Sequence, residues 1–174
     1  MSLIYLRKAN RDHLEQIMNV VHDAQENLNA AGIDQWKNGY PDKFNILSDI
    51  DQNSLYEIMF EKQIAGIITI QDTPEPNYKT LSGGKWLSSD NYATIHRLAI
   101  DSSFSHQGLG KMALISALSL IREQQITSVR VDTHRKNQRV QHLVTQLGFK
   151  YRRVIHIVDP HGDLDNDAYE LIME

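Results

Sequence analysis

The sequence predicts an α+β fold, an α/β three-layer arrangement with a mixed β-sheet between flanking helices, in the order β α α β β β α β α β β. Three observations predict it. Residues 54–61 and 64–71 are apolar or alternating runs around Glu61-Lys62-Gln63, the pattern of a β-hairpin. Three other segments repeat their apolar residues with helical spacing. Between them an apolar run, Tyr92 to Ile100, enters a short polar loop and leaves it as a helix, with Gly108 and Gly110 at the junction.

Residues 3–7 read as a short strand. Asn10 is a good N-cap, and Asp12 falls in the first turn beyond it. Leu14, Ile17, Met18, Val21 and Leu28 follow helical spacing, and Gly32 closes that helix. After Pro41, the residues Phe44, Leu47 and Ile50 predict a second, shorter helix. The hairpin follows. Residues 72–91 hold Pro74, Pro76, Gly83 and Gly84 and form a long loop, a kind of segment that often serves as a lid or binding element. Tyr92 to Ile100 is the next strand. Residues 108–124 make a helix apolar on most sides (Leu109, Met112, Ala113, Ile115, Ala117, Leu118, Leu120, Ile121), which places it against a sheet. Ser128 to Asp132 is a strand. Asn137 to Leu147 is a helix with Val140, Leu143, Val144 and Leu147 inward and Gly148 past its end. Phe149 to Val158 and Asp167 to Met173 finish as two strands. No linker or repeat interrupts this order, so a single domain over residues 1–174 is expected.

A chain of 174 residues is long enough for a proper core, and 41% hydrophobic with 23% charged residues is ordinary for a globular protein. A formal charge of -4 gives no basic excess for a nucleic-acid or membrane-surface role. Cysteine is absent, which excludes disulfides, thiolate metal sites and a cysteine nucleophile and fits a reducing cytoplasm. No apolar run approaches the roughly 20 residues that span a bilayer. The start, Met-Ser-Leu-Ile-Tyr-Leu, lacks the basic and long apolar regions of a signal peptide. His96, His134 and His142 share no metal-ligand spacing, so no metal is expected. The absence of a Gly-x-Ser-x-Gly elbow weighs against an α/β-hydrolase.

The junction at Gly108 and Gly110 carries the chemistry. Without a Cβ, glycine backbone approaches a ligand closely. The first helical turn beyond it has unpaired N–H groups and the positive end of the helix dipole. Such a strand–loop–helix is a seat for phosphate, which predicts a phosphate-bearing cofactor.

With those residues in place, the chain resembles the GCN5-related N-acetyltransferase (GNAT) superfamily. The resemblance covers nearly the whole length in element order and is most specific from Ile95 to Phe149. The family's loop pattern is Arg/Gln-x-x-Gly-x-Gly/Ala; Ser105-His-Gln-Gly-Leu-Gly110 matches both glycines and lacks the first basic or amide residue. The family's later pattern is Asn-x-x-Ala-x-x-Leu-Tyr-x-x-x-Gly-Phe. Asn137, Leu143, Gly148 and Phe149 agree with it, alanine is replaced by Val140, and tyrosine by Val144. The resemblance implies the GNAT acyl-CoA N-acyltransferase fold, with central strands 92–100 and 128–132 splayed around acetyl-coenzyme A. Backbone groups of Leu98, Ala99 and Ile100 would pair with the pantetheine arm as a further strand would. The N–H groups of His106, Gln107, Gly108, Leu109, Gly110 and Lys111 would hold the pyrophosphate, and Asn137 would bind the arm beyond it. Lys111 or Arg139 would offset the missing basic residue at Ser105.

The activity so implied is acetyl transfer to a primary amine, by direct attack in a ternary complex. The acceptor is a small-molecule amine or a peptide amino group, and homodimers are common in the family. The alternative is a catalytically silent acyl-coenzyme A-binding sensor or interaction module, favoured by Val144 and Ser105. Attack needs a base, a donor to the carbonyl oxygen (a strand N–H near Leu98) and a proton or positive potential for the leaving thiolate.

His96 is the first candidate base, because histidine titrates near neutrality. Strand alternation places it on one face with Thr94, Leu98 and Ile100, and Arg97 on the other. The plainer alternative is a histidine packed in the sheet. His134, just after its strand, is the candidate proton donor, with a loop or capping role as its alternative. Asp132 and Glu57 are further carboxylates on central strands and read as structural or solvated. Trp36, Tyr40, Trp86 and Tyr92 are candidates for the acceptor wall, or anchors of mobile segments, and Asp34 would attract a cationic amine. Lys150-Tyr-Arg-Arg153 reads as an exposed strand face, with an adenosine 3′-phosphate contact as the sharper alternative.

Overall fold

The computed structural model describes residues 3–79 and 81–174; Met1 and Ser2, from the N-terminal segment considered above, and Thr80, from the long loop, lie outside them. Strand β1 (Ile4–Lys8) leads through a 3-10 turn into helix α1 (Leu14–Ala30), and α2 (Lys43–Asp51) follows. Strands β2 (Leu55–Phe60), β3 (Gln63–Gln71) and β4 (Tyr92–Ile100) precede α3 (Leu109–Glu123). Then come β5 (Ser128–His134), α4 (Gln138–Gln146), β6 (Lys150–Ile157) and β7 (Leu164–Ile172). The strands form one mixed sheet in the order β1-β2-β3-β4-β5-β7-β6.

Local chemistry accounts for the element ends. Asn10 caps the 3-10 turn, its Oδ1 accepting from Asp12 N at 3.0 Å, and α1 begins after that turn. Beyond α1, Gly32 takes φ 66°, and the N–H groups of Gly32 and Ile33 return to the carbonyls of Asn29 and Leu28. Gly148 closes α4 in the same way, with Gly148 N to Thr145 O and Phe149 N to Val144 O. Both are Schellman closures, which need a left-handed residue that glycine supplies without strain. Asp42 and Asn45 cap α2 reciprocally at 2.9 Å each. Glu61 and Lys62 join β2 to β3 with φ 47° and 72°, the hand that matches the strand twist.

Among the described residues, the two larger of three core clusters cover the two faces of the sheet. Ile17, Val20 and Val21 of α1 and Ile46 and Ile50 of α2 pack with Leu55, Ile67 and Ala99. On the other face Ala113, Leu114, Ala117 and Ile121 of α3, with Val144 and Phe149, pack with Ile58, Ile68, Ile95 and Val129. Two expectations of helix phase are corrected. Phe44 is 82% exposed, because Ile46, Asp49 and Ile50 form the inward side of α2. Met112 and Ile115 of α3 are exposed, so that helix buries one broad face.

Two features of β4 shape the cleft. It pairs in parallel with β5 only at Tyr92↔Ser128, Ala93↔Val129 and Thr94↔Arg130, although both strands continue. Beyond Thr94 the strands part, as the resemblance implies. On its other side, β4 pairs with β3 at Ile67↔Ala99 and Thr69↔His96, so one extra residue of β4 lies between those pairs. That residue is accommodated by a bulge at Arg97, which has φ 50°.

The bulge corrects the expected alternation. His96 and Arg97 both face the α1/α2 side, where Arg97 Nη1 reaches Asp49 of α2 at 2.7 Å. Leu98 and Ile100 pack with the α3 core instead, and Ala99 with the α1/α2 core.

Candidate active site

A cavity of about 1070 Å³ opens where β4 and β5 part. One end is walled by residues 104–111 with Arg139, Val140 and Leu143; the other by Trp36, Tyr40, Glu75, Tyr78, His96, Arg97, Asp132, Asp159 and Asn166.

The first end is made of backbone. Asp101 Oδ1 accepts from Ser103 N at 2.9 Å, and Ser105 N returns to Ser102 O, which folds the chain back toward the start of α3. His106 and Gly108 then take φ 63° and 73°. Among the described residues no side chain caps α3, and its first backbone bond is Met112 N to Gly108 O. Among the described residues, the N–H groups of His106, Gln107, Gly108, Leu109, Gly110 and Lys111 have no protein acceptor, and all six residues line the cavity. A Cβ at Gly110 would meet its nearest protein atom, Leu143 Cδ2, at an ordinary 3.5 Å. The protein's own packing therefore does not require glycine there. The site fits a phosphate group, since unpaired amides at a helix start favour an anion. Leu98, Ala99 and Ile100 line the adjoining wall on the part of β4 that has no β5 partner.

Asn137 is buried and lines the cavity, but both ends of its amide are engaged. Its Oδ1 accepts from Val140 N at 3.4 Å, capping α4, and its Nδ2 donates to Gln35 Oε1 at 2.9 Å. Gln35 thereby ties the α1–α2 loop to the start of α4.

The second end is a cluster of polar side chains. His96 Nδ1 lies 3.8 Å from Asp132 Oδ1, and its Nε2 lies 3.8 Å from Glu75 Oε2. Tyr78, on the long loop, is buried and donates its hydroxyl to Asp132 Oδ1 at 2.5 Å. Asn166 of β7 donates Nδ2 to Asp132 Oδ2 at 2.6 Å. Burial is the main influence holding His96 below its ordinary pKa; Asp132 opposes it and Arg97 reinforces it. Burial also raises Tyr78, reinforced by Asp132, and raises Tyr40, against which Arg97 acts. A neutral imidazole between two carboxylates can take a proton and pass it on.

Other sequence candidates are placed differently. His134 is not in the cavity wall; its Nδ1 accepts from Lys136 N at 3.2 Å, and desolvation lowers its pKa. Asp34 is also outside the wall and pairs with Lys37 at 2.6 Å, which lowers its pKa. Trp36 and Tyr40 line the cavity. Trp86 and Tyr92 do not; their rings flank Arg130, whose guanidinium carbon lies 4.2 Å and 3.7 Å from the two centroids. Tyr92 OH accepts from Glu75 N, so these rings anchor the long loop. Arg152 and Arg153 donate to the carbonyls of Lys85 and Gly83 and serve the same loop. Glu57 is fully buried and lies away from the cavity, held by Arg7 and His13.

Sequence reasoning missed Gln35, Asp49, Glu75, Tyr78 and Asn166. Tyr78 alone left a signal, as an aromatic residue inside a proline-bearing loop. Among the described residues, no cluster of three or more histidine or acidic side chains is placed to hold a metal ion, and no helix is long and apolar enough to cross a membrane.

Residues 18–149 match the acetyltransferase (GNAT) family. The chain is similar to a solved GNAT-family acetyltransferase of Streptococcus agalactiae 2603, with 30% identity and a TM-score of 0.87 over 98% of this chain and 96% of that one. A GNAT-family acetyltransferase of Listeria monocytogenes 4b F2365 matches at 20% identity and TM-score 0.73, over 98% and 95% of the two chains. The PaiA N-acetyltransferase of Thermoplasma acidophilum, solved in complex with coenzyme A, matches at 18% identity and TM-score 0.70, over 98% and 99%. The last two likenesses speak for the fold alone. No curated protein matches the chain.

Proposed function

Because the chain belongs to the GNAT acetyltransferase family, we propose that it is an acetyl-coenzyme A-dependent N-acetyltransferase, acting as one domain, that moves an acetyl group to a primary amine by direct attack in a ternary complex. One observation carries this reading: the six unpaired amides of residues 106–111 line the same cavity as the unpartnered part of β4. A relative of the same fold was solved with coenzyme A.

When bound, acetyl-coenzyme A supplies an acyl group activated as a thioester. The amides of His106 to Lys111 hold its pyrophosphate, with Lys111 and Arg139 at the same end of the cavity adding positive charge. The free side of Leu98, Ala99 and Ile100 holds the arm as a neighbouring strand would. The Leu98 N–H, beside the bulge, serves as a donor to developing negative charge. Asn137 acts on the arm indirectly, by fixing the start of α4.

His96 is the proton acceptor. Its low pKa keeps it neutral at physiological pH, ready to take a proton from the incoming ammonium. Asp132 and Glu75, one beside each ring nitrogen, stabilise the imidazolium that results. Tyr78 and Asn166 hold Asp132 in place.

A second reading, a silent acyl-coenzyme A-binding module, is favoured by Val144. This residue is 1% exposed, lines the cavity and offers no proton to a leaving thiolate. One experiment separates the two. Acetyl-coenzyme A raises Tm more than ATP or NAD does, by the equivalent of about 2.7 kcal/mol at a hundredfold excess over Kd. Thiol release is then followed with a panel of amines. Equal shifts with all three ligands reject the cofactor; a selective shift without thiol release favours the silent module.

A further inference from the structure

We infer that the acceptor end of the cavity is built for an amine of net positive charge with no carboxylate of its own, an aliphatic mono- or polyamine rather than an amino acid. The inference rests on the acetyl-transfer reading and narrows its acceptor.

Glu75, Asp132 and Asp159 place three carboxylates in this wall. The fixed cation among them, Arg97, is already neutralised by Asp49 at 2.7 Å and lies over the Tyr40 ring. His161 sits between Asp159 and Asp42, at 2.9 Å and 3.5 Å. Lys37 is paired with Asp34, while Lys111 and Arg139 belong to the opposite end. The uncompensated charge at this end is therefore negative.

Asn166 supplies an independent pointer. It is only 4% exposed, and its Nδ2 is committed to Asp132 Oδ2, which fixes the direction of the amide. Among the described residues, its Oδ1 is then a buried acceptor with no protein partner. His96 Nε2, on the same wall, has no hydrogen-bond partner among the described residues either. Buried polar atoms rarely stay unsatisfied in a working site, because such an atom has given up its hydration for nothing. An ammonium brings several N–H donors and no acceptor, so it satisfies such a wall. Arg97 Nε is also unpartnered among the described residues. It remains within a guanidinium whose charge Asp49 offsets, so a carboxylate brought next to Glu75 and Asp132 gains little from it and is repelled by both.

The test uses four amines of related size: 1,4-diaminobutane, n-butylamine, 4-aminobutyrate and glycine. With acetyl-coenzyme A saturating, kcat/KM from thiol release is expected to be at least tenfold higher for diaminobutane and butylamine than for 4-aminobutyrate and glycine. Asp132→Asn and Asn166→Leu are expected to raise KM for diaminobutane at least fivefold, while the Tm shift with acetyl-coenzyme A persists. Calorimetric titration of the same amines into the wild-type protein reads the acceptor end whether or not transfer occurs. Equal or better binding and turnover of 4-aminobutyrate, or no binding of either cation, overturns the inference. Loss of the acetyl-coenzyme A shift in the wild-type protein instead overturns the acetyl-transfer reading.

Discussion

Arg97 and Asp49 join the bulge of β4 to the buried side of α2: Arg97 Nη1 donates to Asp49 Oδ2 at 2.7 Å, and Thr69 Oγ1 donates to the same oxygen at 2.9 Å. The side chain of Asp49 is 5% exposed and that of Arg97 is 14% exposed. Asp49→Ala removes the counter-ion and leaves the Thr69 hydroxyl without its acceptor. A loss of about 3 kcal/mol is expected, the lower end for breaking a buried pair. Replacing both partners with apolar residues is expected to cost less than Asp49→Ala alone. Urea unfolding of the two variants checks this; an unchanged midpoint for Asp49→Ala removes the pair from the account.

The His96 environment fixes a pH dependence. The ring faces Asp132 of β5, Glu75 and Tyr78 of the long loop, and the charges of Arg97 and Asp49. Burial dominates and lowers its pKa below 6.5. As pH falls, the unfolded chain takes up this proton before the folded one does. The stabilising contribution is full above about pH 6.5 and declines as pH drops toward the folded value. The Tm of the wild type is therefore expected to fall between pH 7 and pH 5 more steeply than that of His96→Gln. The acid limb of kcat/KM is expected below the ordinary histidine range, and His96→Gln is expected to lower turnover about 100-fold at neutral pH. An unaltered rate removes His96 from the chemistry.

Gly108 and Gly110 differ in what they require. Gly108 takes φ 73° with open space around a notional Cβ, so Gly108→Ala strains only the backbone and costs about 1 kcal/mol of stability. Gly110 has no such φ, and its Cβ contacts are ordinary. Gly110→Val is therefore expected to fold with a nearly wild-type Tm and to bind acetyl-coenzyme A at least tenfold more weakly, because its added methyl groups enter the cavity. Isothermal titration together with melting curves distinguishes the two effects.

The strand, helix and turn order was legible because each element carries a local signal: apolar runs in β2 and β3, helical spacing in α1 and α4, and glycine at both Schellman closures. The amide seat was legible for the same reason, being built from consecutive residues. Of the acceptor end, Trp36, Tyr40 and His96 were legible, but the cluster around His96 was not. Glu75, Tyr78, Asp132 and Asn166 come from the long loop, β5 and β7, and only the sheet order brings them together. The bulge at Arg97 was hidden as well. A single inserted residue leaves the composition of β4 unchanged while it moves Leu98 and Ile100 to the opposite face. The phase of α2 failed because a buried Asp49 occupies an inward position that an apolar count assigns to solvent.

Gln35 offers a way to separate holding the acceptor wall from holding the fold. Its Oε1 accepts from Asn137 Nδ2 at 2.9 Å and from Thr133 Oγ1 at 3.4 Å, and the loop it anchors also carries Trp36 and Tyr40. Asn137 keeps its cap on Val140 N when Gln35 is removed. Gln35→Ala loses both of these bonds, the one from Thr133 long and weak, and is therefore expected to cost about 1 kcal/mol, chiefly for the bond from Asn137. Asn137→Ala loses the cap as well and is expected to cost about 2 kcal/mol. The double variant is expected to fall short of the sum by about 1 kcal/mol, the coupling of two residues that share one bond. The kinetic signature differs from the thermodynamic one. In Gln35→Ala the α1–α2 loop loses its tie to α4, so KM for the amine is expected to rise severalfold while the Kd for acetyl-coenzyme A changes less than twofold. Equal weakening of both ligands would instead place Gln35 at the pantetheine arm.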